Sequence, residues 1–259
     1  MTPREVLLAV YHHQRPSRMV SPFNCTRIVT MPGDRYFGLE REGYDAWGVR
    51  WTNLGPNPGL DGSTPTPGYQ RLTDITRWQE QVEIPDVDAL FSSAMAQQRL
   101  QGVEREKEVV QGLLLSGTFE RVNQMLGFEN ALCAFYEEPE AMHDLLHTIA
   151  DYKLRCIDKM VELVDPDVII MHDDWGMSTN MLFSPEIWRE FIRPLEKRYA
   201  ERIHSYGKLY EHHSCGYITP IVGDLVEIGV DALNPLNVCN DLDRLCAEYG
   251  GKLALLGGL

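Results

Sequence analysis

Lys208-Leu-Tyr-Glu-His-His-Ser-Cys-Gly216 turns from apolar to polar along its length and ends on a glycine, the pattern of a β-strand opening into a loop. Successive strand side chains point to opposite faces, so Glu211, His213 and Cys215 share one side and His212 and Ser214 the other. A carboxylate, an imidazole and a thiol therefore stand in one column. In a parallel α/β barrel the carboxyl end of such a strand is where catalytic groups converge, and His213 with Cys215 would supply two ligands to a zinc ion. Zinc usually takes at least three protein ligands, and the spacing offers two. By itself the motif favours the plainer alternative, a buried thiol beside a hydrogen-bonded histidine.

The flanking chain says what kind of strand this is. Val109–Ser116 is a continuous apolar run, as a strand covered on both faces requires, and 119–132 follows with helical spacing. After Pro139 a long amphipathic helix carries Met142, Leu145, Leu146, Ile149, Ile157, Met160, Val161 and Val164 on one stripe. Asp167–His172 is the next strand, ending in Asp173-Asp-Trp-Gly176. Ser184-Pro185-Glu186 starts a helix that Pro194 should kink and Gly207 should stop. Beyond the opening stretch come a helix over 221–228 closed by Gly229, a strand Asp231–Pro235, a helix capped by Asp241 and running to Tyr249, and a strand Lys252–Leu256. Strands alternating with helices predict a parallel sheet with right-handed crossovers.

The N-terminal part is less regular. Thr2-Pro3-Arg4-Glu5 starts a short helix ending near His13, and Met19–Phe23 reads as a first strand. Residues 44–85 are an excursion of turns with room for a hairpin, since Gly55-Pro-Asn-Pro-Gly59 and Thr64-Pro-Thr-Pro-Gly68 exclude regular helix. Its aromatic residues should pin it to the core. A helix from about Asp88 to Glu106 follows.

A chain of 259 residues, 44% hydrophobic, can bury a full core and fits one large barrel as readily as two ordinary domains. No apolar run approaches a membrane span, and the polar start is unlike a signal peptide, so the expectation is a cytoplasmic protein without a membrane partner. The formal charge of −14 argues against nucleic acid as a partner, which needs a basic footprint. Cys25, Cys133, Cys156, Cys215, Cys239 and Cys246 show no paired spacing and read as reduced thiols, most of them packing residues.

Seven stretches, in order, carry a family likeness: Gly117-Thr-Phe-Glu120, Phe135-Tyr-Glu-Glu-Pro139, Asp173-Asp-Trp-Gly176, Ser184-Pro-Glu-Ile-Trp-Arg-Glu-Phe191, His213-Ser-Cys-Gly216, Asp224-Leu-Val-Glu-Ile-Gly-Val-Asp231 and Gly257-Gly258. With them the chain resembles the uroporphyrinogen decarboxylase superfamily, and Thr2-Pro-Arg-Glu5 and residues 45–49 are similar to its cobamide-dependent methyltransferase-like branch. The resemblance implies a (β/α)8 TIM barrel over 1–259, interrupted by the 44–85 excursion.

For function, the resemblance implies zinc-assisted methyl transfer to a thiol or other small-molecule acceptor, with methylcobamide carried by a separate corrinoid protein. His213 and Cys215 match the first two zinc ligands of that branch, Glu211 is a candidate extra ligand, and the third ligand of the pattern, a later cysteine, would lie beyond Leu259. Asp173, Asp174 and Tyr136 are the candidate catalytic residues. Of the two aspartates only one should enter the site, because strand neighbours face opposite ways. Tyr136 aligns with a tyrosine of the decarboxylase site. The alternative is uroporphyrinogen decarboxylation in porphyrin biosynthesis, but the decarboxylase's Arg-Gln-Ala-Gly-Arg segment has no counterpart, and Arg15, Arg18, Arg27 and Arg35 fall outside its pattern. A third possibility is an inactive fragment. The last one or two βα units are expected to be missing, leaving Leu253, Leu255 and Leu256 bare, with homodimerisation and weak metal binding as consequences.

Overall fold

Thr2 and Glu5 close a reciprocal cap on α1 (Pro3–Tyr11): the Thr2 hydroxyl accepts from the Glu5 N–H, and the Glu5 carboxylate accepts from the Thr2 N–H at 2.8 Å. Arg4 then donates two hydrogen bonds to Asp167, at 2.5 and 2.6 Å, tying the helix to the main sheet. The computed structural model describes residues 1–19, 21–38, 40–56 and 62–257.

The first strand lies later than expected. β1 is Thr26–Thr30, whereas Pro22–Asn24, overlapping the end of the expected strand, form a 3-10 turn. Proline has no N–H for a ladder and suits the first position of a turn. Val20, within the same expectation, lies outside the described residues, as do residues 57–61 and Gly258. The excursion holds more order than turns and a hairpin: β2 (Glu42–Tyr44), β3 (Arg50–Asn53) and β4 (Ser63–Pro65) form an antiparallel three-stranded sheet. Trp47 and Trp51 are buried and anchor it, as their positions predict.

The helix expected from Asp88 is instead broken into pieces. After α2 (Trp78–Gln81) come α3 (Val87–Leu90) and α4 (Ser93–Arg99). Phe91 leaves the helical conformation to bury its ring completely, and the Ser92 hydroxyl restarts a helix by accepting from the Met95 N–H. Similarly, 119–132 is two helices, because Gly127 at φ 87° ends α5 (Thr118–Leu126) and opens α6 (Phe128–Glu137).

From β5 (Val109–Leu114) onward the alternation follows the sequence. The 26-residue α7 (Pro139–Val164) buries its predicted stripe, with Val161 at the margin. β6 is Val168–His172, and α8 (Pro185–Ile187) leads into a π-helical turn, Trp188–Ile192, and α9 (Arg193–Ser205). Pro194 produces that distortion: lacking an N–H for the residue one turn back, it forces the ladder to widen. β7 (Leu209–His213), α10 (Val222–Ile228), β8 (Ala232–Leu236), α11 (Leu242–Tyr249) and β9 (Ala254–Gly257) follow.

Six strands form one parallel sheet in the order β1-β5-β6-β7-β8-β9, an arc of a (β/α) barrel with β1 and β9 as its edges among the described residues. Leu253, expected bare, is 1% exposed and belongs to the main core. No helix among the described residues is long and apolar enough to cross a membrane. The register sets up the site, since His172 on β6 lies opposite His213 on β7, which lies opposite Asn234 on β8.

Candidate functional site

Parallel pairing puts His172 and His213 side by side, and their rings stack at 4.2 Å between centroids and 13° between planes. Asp174 and Cys215, each two residues further on, extend the two columns beyond the strand ends. Asp174 Oδ1 is 4.0 Å from His213 Nε2, and Cys215 Sγ is 3.6 Å from that same nitrogen. One ligand atom from each of His172, Asp174 and His213 lies within 4.8 Å of the other two. The Cys215 backbone N–H donates to Asp174 Oδ1 at 2.6 Å, and His172 Nδ1 pairs with Glu120 Oε2 at 3.0 Å.

Two loop glycines make this approach possible. A Cβ on Gly176 would strike the backbone of Cys215, Gly216 and Tyr217, and one on Gly216, at φ 82°, would strike Gly176 and Met177. The loops after β6 and β7 thus cross backbone to backbone, fixing Asp174 against Cys215.

Burial pushes His213 down to about 4, with His172 adding repulsion, so the ring is neutral at ordinary pH. Burial also acts to lower His172, but Glu120 and the two aspartates outweigh it and the net direction is up. Burial, reinforced by Asp174, drives the Cys215 thiol up to about 11. Without an added cation Cys215 is a thiol rather than a thiolate.

Asp173 faces the other way and is fully buried. Its carboxylate accepts from the N–H groups of Phe119 at 2.9 Å and Glu120 at 2.8 Å, capping α5 from a different strand. The helix's own cap position, Gly117, has no side chain to do so, and a Cβ there would overlap Asp173. Of the two aspartates, Asp174 is the one beside His213, and Asp173 serves the fold. Asp173→Ala should cost about 2 kcal/mol in urea-induced unfolding. A loss below about 0.5 kcal/mol would contradict the capping role.

Two other candidates lie elsewhere. Glu211 is one layer deeper, fully buried, and takes the Tyr11 hydroxyl as donor, so it does not join the His172, Asp174, His213 group. The pleat explains this: a residue two positions back on the same face lies about 6.6 Å nearer the barrel floor. Tyr136 is 68% exposed on α6, whose buried face is Ala131, Ala134 and Phe135, and it does not reach the cluster. His212 occupies the opposite face of β7, stacked on Trp175 at 4.0 Å and paired with Glu196 at 3.1 Å. Trp175 and Trp188 are buried core residues. Cys239 is partly buried, but Cys246, expected to pack, is exposed, as is Cys133.

Glu120, to which no role was attached from sequence, connects the cluster to a cavity of about 460 Å³ between the small sheet and α5, also lined by Arg35, Trp51, Gln70, Asn123 and Gln124. His172, Asp174 and His213 do not line that cavity. Arg35 lies 5.2 Å from the Trp51 ring centroid, donates to Ser63, and has no carboxylate within ion-pair distance among the described residues. Burial lowers its pKa, and Glu120 acts in the opposite sense.

The uroporphyrinogen decarboxylase (URO-D) family model matches residues 75–259. A solved structure, of a methyltransferase from Methanosarcina mazei, is similar with a TM-score of 0.64 over 100% of this chain and 92% of that one, at 13% sequence identity. A likeness at that identity concerns the fold. Among curated proteins, none matches the sequence significantly. With more than half its length matched by the family model and its strands arranged in the same kind of barrel, the chain belongs to the uroporphyrinogen decarboxylase (URO-D) family.

Proposed function

We propose that this URO-D family member is a zinc-assisted methyltransferase, moving a methyl group between methylcobamide on a corrinoid protein and a thiol or similar small acceptor. The observation that carries this reading is the 3.6 Å contact between Cys215 Sγ and His213 Nε2 beside Asp174, at the carboxyl ends of adjacent barrel strands. The donors fit the ion: His213 is already neutral, as a ligand must be, and nitrogen, sulfur and carboxylate oxygen are all zinc donors. Bound zinc would supply a lowered thiol pKa, making available the thiolate that can accept a methyl group. The protein's own part is to hold its ligands rigid through the crossed glycine loops and to keep the site partly screened from water. The solved methyltransferase of similar fold supports the choice of branch.

Decarboxylation is less well served. A substrate with eight carboxylates requires several arginines to offset their desolvation, and the cavity beside the cluster offers Arg35 together with an acidic Glu120. Purified protein is expected to carry one equivalent of zinc by elemental analysis and to demethylate methylcobamide when a thiol is supplied. Protein free of zinc that cannot take it up, and that decarboxylates uroporphyrinogen, would overturn the proposal.

A further inference from the structure

We infer that the ion's protein ligands come from two neighbouring strands, His172 and Asp174 from the carboxyl end of β6 and just beyond it, and His213 with Cys215 likewise from β7, a set of four with a single cysteine. This rests on the reading of the site as a zinc centre. Each strand contributes a pair two residues apart on one face, and the parallel register sets the pairs side by side. The result is a four-cornered set of two imidazoles, a carboxylate and a thiol. It contains the one group of three candidate ligands found within mutual reach among the described residues.

The spacing suits an ion. Donors on a tetrahedral zinc stand about 3.3–3.8 Å apart, given bond lengths of about 2.0–2.3 Å. The 3.6 Å between Cys215 and His213 is already in that range, and the 4.0 Å between His213 and Asp174 is close to it. His172, Asp174 and His213 lie within 4.8 Å of one another, while Cys215 stands outside that group and meets His213 at 3.6 Å, so closing the four-membered set takes side-chain rotation on a backbone register already in place.

Outer partners support the same assignment. Glu120 takes His172 Nδ1, which leaves Nε2 as the nitrogen able to ligate, the arrangement by which carboxylates orient metal-bound histidines. The Cys215 N–H donates to Asp174 Oδ1, the oxygen 4.0 Å from His213 Nε2, and so fixes the carboxylate beside that ring with a lone pair still able to bind. Mixed nitrogen, sulfur and oxygen donors select a borderline ion of the zinc or cobalt class over magnesium or calcium, which prefer oxygen alone.

Cobalt(II) is the probe, because zinc has no d–d spectrum. The metal-stripped full-length chain should bind one equivalent with the intense visible bands of four-coordinate cobalt and a sulfur-to-cobalt charge-transfer band. His172→Gln and Asp174→Asn, close in shape to the residues they replace, should each weaken cobalt binding tenfold or more. Cys215→Ser should abolish the charge-transfer band. In the unsubstituted protein, paramagnetic NMR should show shifted N–H signals from two imidazole rings. Near-native affinity in both the His172 and Asp174 variants, or signals from a single imidazole, would overturn this ligand set while leaving the zinc reading intact. Failure of the unsubstituted protein to bind cobalt or zinc would overturn both.

Discussion

Replacing Arg121 by methionine should lower the free energy of unfolding by about 3–5 kcal/mol, the usual cost of removing one partner from a buried charge cluster. Arg121 on α5 is fully buried; it donates to Asp45 Oδ2 at 2.7 Å and to the Asp34 carbonyl at 2.5 Å. Lys153 on α7 meets Asp34 Oδ2 at 2.7 Å and the Leu115 carbonyl at 2.6 Å. Asp45 accepts the N–H groups of Trp47 and Val49, both at 2.9 Å, and the Trp51 indole at 3.0 Å. Methionine replaces much of the arginine's volume, so the loss would report charge and hydrogen bonding rather than a cavity. Asp45 would keep its N–H donors and lose its cation. Urea unfolding monitored by far-UV circular dichroism measures the effect, and Asp45→Asn with Arg121→Met should cost less than the two single losses added. A single-variant loss under 1 kcal/mol would mean that the cluster does not hold the excursion down.

The same cluster bears on function through Asp34, which is adjacent to Arg35. By fixing Asp34 from two helices, Arg121 and Lys153 determine where the chain after β1 runs, and so place Arg35 at the wall of the cavity that shares Glu120 with the cluster. The excursion is the outer wall of the cavity next to the candidate centre.

How much of this was legible in the sequence depended on whether the deciding force was local. The strand and helix rhythm from Val109 onward is a matter of periodicity and helix punctuation, and it is present with boundaries shifted by one or two residues except after Gly117, where two helices run to Glu137 in place of one ending at Leu132. The split at Phe91 is not of that kind, since a single aromatic ring gains more by burial than a continuous helix would gain in backbone bonds. Strand alternation predicts that Asp173 and Asp174 point to opposite sides, as they do, one to His213 and the other to α5. Which one meets His213 depended on α5, whose glycine cap position leaves N–H groups for Asp173 to satisfy. The place of His172 in the cluster depends on other elements in the same way, since its neighbours His213 and Glu120 come from β7 and α5. Tyr136 shows the limit of carrying a residue over by likeness, since matching a motif on a helix does not specify the direction of every side chain in it.

Glu211→Gln should stabilise the protein in alkaline solution by about 3 kcal/mol and change little in acid. Burial pushes the Glu211 carboxyl up to about 7 from an ordinary 4.5, so the folded state holds its proton more tightly than the unfolded chain. The sign follows from linkage. Below pH 4.5 both states are protonated and there is no penalty; between 4.5 and about 7 the unfolded chain releases the proton first and stability falls; above about 7 the loss is complete. A difference of about 2.5 pKa units corresponds to about 3 kcal/mol at 1.36 kcal/mol per unit. Glutamine retains an oxygen to accept from the Tyr11 hydroxyl and carries no charge to desolvate, and Gln111, which donates to Tyr11 at 3.2 Å, is undisturbed. Denaturant unfolding of both proteins at pH 4.5, 6, 7 and 8.5 should give curves that coincide in acid and diverge upward for the variant through the window 4.5–7. Curves that remain parallel across the range would show that Glu211 is hydrated or paired in a way that offsets its burial.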